Sequence, residues 1–133
     1  MDTSLTEIAR TCLDGAETGT MTFARILGTL TRECFESYAI DFRRGTATYY
    51  LPGGDSVLFP TRQHGVPIAD TLDVASAQAA IREAQQLAAG YTHAGFCAKV
   101  MAAGCAGYIV SFTERRAVYF GRTAETHVEH FPR

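Results

Sequence analysis

A shift of 70 residues lays "TFARILGTLTRECFESYAIDFRRGTATYY" over "THAGFCAKVMAAGCAGYIVSFTERRAVYF" without a gap. Identities fall at Thr22/Thr92, Ala24/Ala94, Tyr38/Tyr108, Phe42/Phe112, Ala47/Ala117 and Tyr49/Tyr119. An internal repeat of this kind constrains a fold more than any single motif, because each copy must bury its apolar face against a neighbour. Both copies also change period at the same place. Phe23, Ile26, Leu27, Leu30 and Cys34 recur at helical spacing in the first, as do His93, Phe96, Cys97, Val100 and Gly104 in the second. Strand alternation follows in each. Two-residue loops at Arg44-Gly45 and Glu114-Arg115 would set Ile40 opposite Tyr49, Phe42 opposite Ala47, Val110 opposite Tyr119 and Phe112 opposite Ala117. One face then carries Tyr38, Ile40, Phe42, Ala47, Tyr49 and Leu51, and the other Ala39, Asp41, Arg43, Thr46, Thr48 and Tyr50.

A further helix precedes each unit. "SLTEIARTCLDGA" opens with the Ser4/Glu7 spacing of a capping box, and "DVASAQAAIREAQQLAAG" starts from Asp73 as N-cap and stops at Gly90. "DSVLFP" over "HVEHFP", at an offset of 72, adds a third strand to each copy and matches Val57 with Glu129. The segment "TRQHGVPIADTL" reads as a loop with a short strand at Val66–Ile68. The expected fold is α+β: a single domain over 1–133, with repeat one about 4–60 and repeat two about 73–132. Each repeat is helix, helix and a three-strand meander. The superposable units are 21–60 and 91–132, joined into one antiparallel sheet with helices on one face and a pseudo-twofold axis.

At 47% apolar, the chain can build a core without staples. A net charge of −2 lacks the basic surplus of a nucleic-acid binder. No apolar run approaches a membrane span, and "MDTSLTEIAR" does not read as a signal peptide, so a cytoplasmic protein is expected. The four cysteines show no CxxC or zinc spacing and read as buried thiols; no cofactor is expected.

The residues "ESYAIDF" and "TYYLPGG", then "GFCAKVMAAGCAGY", "VYFG" and "HVEHFP", resemble a bacterial domain-of-unknown-function family. Some members of that family carry the label "phage envelope protein". The resemblance spans nearly the whole chain and implies no activity. The chain departs from the family pattern at Phe23-Ala24 and His93-Ala94, where Phe-Pro or Tyr-Pro is usual. It departs again at His130-Phe131, where the family has Glu-Ile.

Three functions follow. The first is a non-enzymatic binding module that forms a weak homodimer or docks a partner through an open sheet face, with Tyr50, Ile109, Val118 and Phe120 at the interface. The second is a small-molecule-binding protein with a pocket between the repeats lined by Tyr38, Tyr49, Tyr108 and Tyr119. The third is an enzyme using Glu129, His127 and His93, with Cys97 one turn from His93 as a drawable Cys–His dyad. Strand parity puts His127 and Glu129 on one face and His130 on the other, so these three are not expected to hold one metal ion.

Overall fold

The computed structural model describes residues 1–131; Pro132, the last residue of the expected second repeat, lies outside them. Helices α1 (Thr3–Thr18) and α2 (Phe23–Arg32) precede strands β1 (Ser37–Asp41), β2 (Thr46–Tyr50) and β3 (Ser56–Pro60). Helices α3 (Val74–Gln86) and α4 (His93–Ala102) precede β4 (Cys105–Ser111), β5 (Arg116–Gly121) and β6 (Thr126–His130). The six strands form one antiparallel sheet in the order β3-β2-β1-β4-β5-β6. The fold is α+β.

Caps fix where the helices start. Thr22 and Thr92, one of the matched pairs, accept hydrogen bonds from Arg25 N (3.2 Å) and Gly95 N (3.0 Å). Asp73 caps α3 through Ser76 N, as its position predicts. At α1 the cap is Asp2, which accepts from Ser4 N at 2.7 Å, in place of the expected Ser4/Glu7 box. A carboxylate two residues earlier accepts from Ser4 N and Leu5 N and puts negative charge at the positive end of the helix dipole. The helix ends also differ from expectation. Cys34 and Gly104 lie beyond α2 and α4, with φ of +65° and +95°. Helix α3 ends at Gln86, because Leu87 takes the left-handed cap conformation that Gly90 was expected to supply.

Both central hairpins close with four-residue loops, so their register is shifted by two residues from a two-residue turn. Ile40 pairs with Ala47 and Tyr38 with Tyr49; Val110 pairs with Ala117 and Tyr108 with Tyr119. The first loop is held by the Asp41 carboxylate, which accepts from Arg43 N (2.9 Å) and Arg44 N (3.0 Å), and only Gly45 is left-handed. A two-residue primed turn would require positive φ at Arg44 too. In the second loop Ser111 Oγ accepts from Glu114 N, and Arg115 takes the left-handed place of Gly45. A two-residue slip preserves parity, so every strand residue keeps its expected face.

The junction strands pair Tyr38 with Val110 and Ile40 with Tyr108. Exchanging positions through the offset of 70 turns one pair into the other, so the register at the centre of the sheet obeys a local twofold. The same offset, not 72, governs the edges. Tyr49 pairs with Val57 and Tyr119 with His127, so His127 occupies the place of Val57, and Glu129 that of Phe59.

The helices cover one sheet face. Leu30, Val100, Val110, Cys12, Cys97 and Cys105 are fully buried between the layers, and Cys34 is the exposed thiol. Phe42, expected in the core, is only half-buried at its hairpin tip, against His64 and Tyr108. The segment 61–73 forms no strand at Val66–Ile68. It crosses the sheet end as a loop, tied by Asp73 N to Ala103 O (2.7 Å) and by Leu72 N to Glu125 Oε2 (3.1 Å). No helix among the described residues is long and apolar enough to cross a membrane.

Candidate functional site

The two halves leave a cavity of about 490 Å³ between the helix layer and the sheet. Its floor is Tyr38, Tyr108 and Tyr119, from the central strands and β5. The walls are the last turns of α1 and α3 and the first turns of α2 and α4. The floor rings pack edge-on or tilted on one another, Tyr38 to Tyr108 at 6.4 Å and Tyr108 to Tyr119 at 5.1 Å. Burial raises the pKa of all three phenols, so they stay protonated and can donate or accept. Tyr49 does not reach the cavity; it is packed among Phe35, Tyr38 and Phe59.

The two ends of the cavity differ. Toward the β3 edge stand Glu17 and His93. Glu17 is placed there by Arg62, just beyond β3, whose backbone N–H reaches Glu17 Oε2 at 2.9 Å. Toward the β6 edge stand Phe23 and Phe131, ring centroids 5.4 Å apart. His93 has its pKa lowered, first by burial and then by the nearby charge of His64, with Glu17 opposing. It is therefore the neutral imidazole expected at a helix N-terminus.

The candidate catalytic groups fall into two separate places. His93 Nε2 lies 3.5 Å from Cys97 Sγ. Burial, reinforced by the Glu17 charge, pushes the Cys97 thiol up to about 12, so a neutral imidazole faces a protonated thiol. His127 Nε2 lies 2.7 Å from Glu129 Oε1 on the inner face of edge strand β6, both side chains largely covered. The partners of His93 are Cys97, Phe96 and the charges of His64 and Glu17, not this β6 pair. Among the described residues no group of three or more His, Cys, Asp or Glu side chains is placed to hold a metal ion.

The outer sheet face carries a continuous row across all six strands: Leu58, Thr48, Ala39, Ile109, Val118 and Val128, each paired with the next. Leu58, Ile109 and Val128 are exposed, as is Tyr50 beside the row. Val118 and Phe120 are half-buried; the Phe120 ring lies against Gly107, where a Cβ would strike it at 2.7 Å.

Parity located the tyrosine floor. It could not supply Glu17 and Phe23, placed by α1 and α2, or Tyr91, in the loop before α4; Phe131 follows directly from β6. The one available signal was that Phe23 and His93, matched in the repeat, differ in polarity. No protein-family model matches the chain, and no curated protein matches it. The functional reading therefore rests on these residues alone.

Proposed function

We propose that this chain is a small-molecule-binding protein whose site is the cavity between its two halves. The observation that carries this is the cavity itself. It has the size of a ligand pocket, mostly apolar and aromatic walls, and a few convergent polar groups. A core of this size normally fills such space with side chains. Here the space is kept, with phenol hydroxyls on its floor. Titration with the apolar fluorophore N-phenylnaphthylamine tests the reading. Saturable enhancement is expected, and Ala84→Phe, which fills the cavity from α3, should abolish it while the far-ultraviolet circular dichroism stays unchanged. Enhancement that survives the filled cavity would place binding elsewhere and refute the reading.

A second reading is supported by the outer-face row. Six uncharged residues in register span the full width of the sheet, roughly 24 Å at the usual strand spacing. Stacking this face on a second copy would cover Leu58, Ile109 and Val128 and make a weak homodimer, since association costs several kcal/mol in lost freedom. Sedimentation equilibrium at rising concentration tests it. Ile109→Asp should abolish any dimer, and a wild-type protein that stays monomeric at millimolar concentration would exclude it.

A further inference from the structure

The cavity has a direction and a charge, and together they select a ligand class. Among the described residues that line it, Glu17 is the only carboxylate, His93 is neutral, and there is no lysine or arginine. The helix ends around it cancel in sign, because two C-termini (α1, α3) and two N-termini (α2, α4) meet there. One N-terminal amide of each of α2 and α4 is also taken by its own cap, Arg25 N by Thr22 and Gly95 N by Thr92.

Glu17 is unevenly satisfied. Its side chain is 11% exposed. Oε2 accepts the Arg62 N–H, while Oε1 has only the Arg62 Nε at 3.8 Å, on a guanidinium group that is mostly in solvent. Oε1 thus has no hydrogen-bond donor among the described residues and is not sealed from solvent, so it is open to water or to a ligand. Beyond it the lining is Tyr38, Tyr91, Tyr108 and Phe96, and the far end is the Phe23–Phe131 contact. A carboxylate at one end of an aromatic channel suits an ammonium group, which gains a charge-assisted hydrogen bond and the negative ring faces together. An anionic ligand would meet no cationic side chain among the described lining residues and would be repelled by Glu17.

We propose that the cavity takes a hydrophobic amine, its ammonium head on Glu17 at the β3 edge and its apolar body over the tyrosine floor toward Phe23 and Phe131. This rests on the reading of the cavity as a binding site. Three probes of one shape separate the two ideas: naphthylethylamine, naphthylethanol and naphthylacetate, each titrated by amide-resolved NMR.

The amine should bind about tenfold more tightly than the alcohol, the gain of one charge-assisted hydrogen bond, with the acetate weakest. Glu17→Gln should bring the amine to within about twofold of the alcohol and leave the Kd of the alcohol unchanged. If amine and alcohol bind equally, or the acetate binds best, the assignment of an amine is wrong while the cavity remains a binding site. If none of the three shifts the resonances of the tyrosine floor, both proposals fall.

Discussion

Replacing Cys34 by glycine should make the protein more stable, although it removes a side chain. Helix α2 ends in a Schellman arrangement. Phe35 N donates to Leu30 O (3.0 Å) and Cys34 N to Thr31 O (3.1 Å), and the buried Phe35 and Leu30 side chains supply the apolar contact that accompanies it. The motif requires a left-handed residue at position 34, and here a cysteine adopts φ +65°. An L-residue held there costs about 1–2 kcal/mol, and glycine returns about 0.4–1 kcal/mol of that through its freer unfolded chain. The Cys34 side chain is exposed, so its removal forfeits little packing. The net gain is about 0.5–1 kcal/mol, or roughly 2–4 °C in Tm.

Urea and thermal melts measure this. Cys34→Ala is the control, since it removes the thiol and keeps the strained backbone, and it should gain nothing. A stabilised alanine variant, or a destabilised glycine variant, would refute the account. The related position offers the converse. Gly104 has φ +95°, and a Cβ there would run into the backbone of Thr71 and reach Leu72 Cα at 2.9 Å. Gly104→Ala should cost about 2–5 kcal/mol, combining strain with overpacking.

Thiol reactivity should follow burial: Ellman's reagent should modify Cys34 quickly and the other three only on unfolding, with Cys97 pushed up to about 12 and Cys105 to about 11. More than one fast thiol in the native protein would contradict the packing. Phe112→Ala should cost about 3–5 kcal/mol, as for a buried aromatic, and Phe42→Ala roughly 1–3, because Phe42 is half-exposed at its loop; equal losses in urea melts would show the two hairpin tips to be equally buried. His93 has a folded pKa below its ordinary 6.5, so the unfolded chain binds its proton first and stability falls as pH drops below about 6.5. His93→Phe, which restores an aromatic at this position, should lose less stability than the wild type between pH 7 and 5, and identical losses would mean that His93 is protonated freely in the folded state.

Much of the fold was legible because it depends on period. The change from helical to alternating spacing after Leu30 and Val100 marks both helix–strand transitions, and a slip of two residues in each hairpin leaves every strand side chain on its expected face. What was not legible depends on single hydrogen bonds or on long-range placement. Whether a hairpin closes in two residues or four is settled by the Asp41 carboxylate reaching Arg43 N and Arg44 N. Whether α1 starts at Asp2 or Ser4 is settled by which oxygen reaches the first free amides. The tyrosine floor was legible for the same reason as the strands; Tyr49, with the same parity, is excluded only because Phe35 and Phe59 cover it.

The cavity lies between the two halves of the chain, and in the proposed reading its selectivity would come from positions 70 residues apart that differ. Glu17 and Leu87 occupy matched positions on its wall, as do Phe23 and His93. In each pair one member is apolar and the other polar, and the two polar members share one end. A strictly symmetric chain would line both ends alike and could hold a ligand in either sense. The same divergence appears at the sheet edges, where Val57 and Phe59 on β3 face the helices as an apolar pair and His127 and Glu129 on β6 replace them with a hydrogen-bonded polar pair. A buried Phe59 gains from apolar transfer and from Arg10, whose guanidinium carbon lies 4.4 Å from the ring centroid. Glu129 in that place needs a donor, and His127 two residues away on the same face supplies it. That pair is accounted for by the covered edge it occupies, whereas Glu17 has an oxygen open to the cavity, which is why the proposed ligand site is placed there.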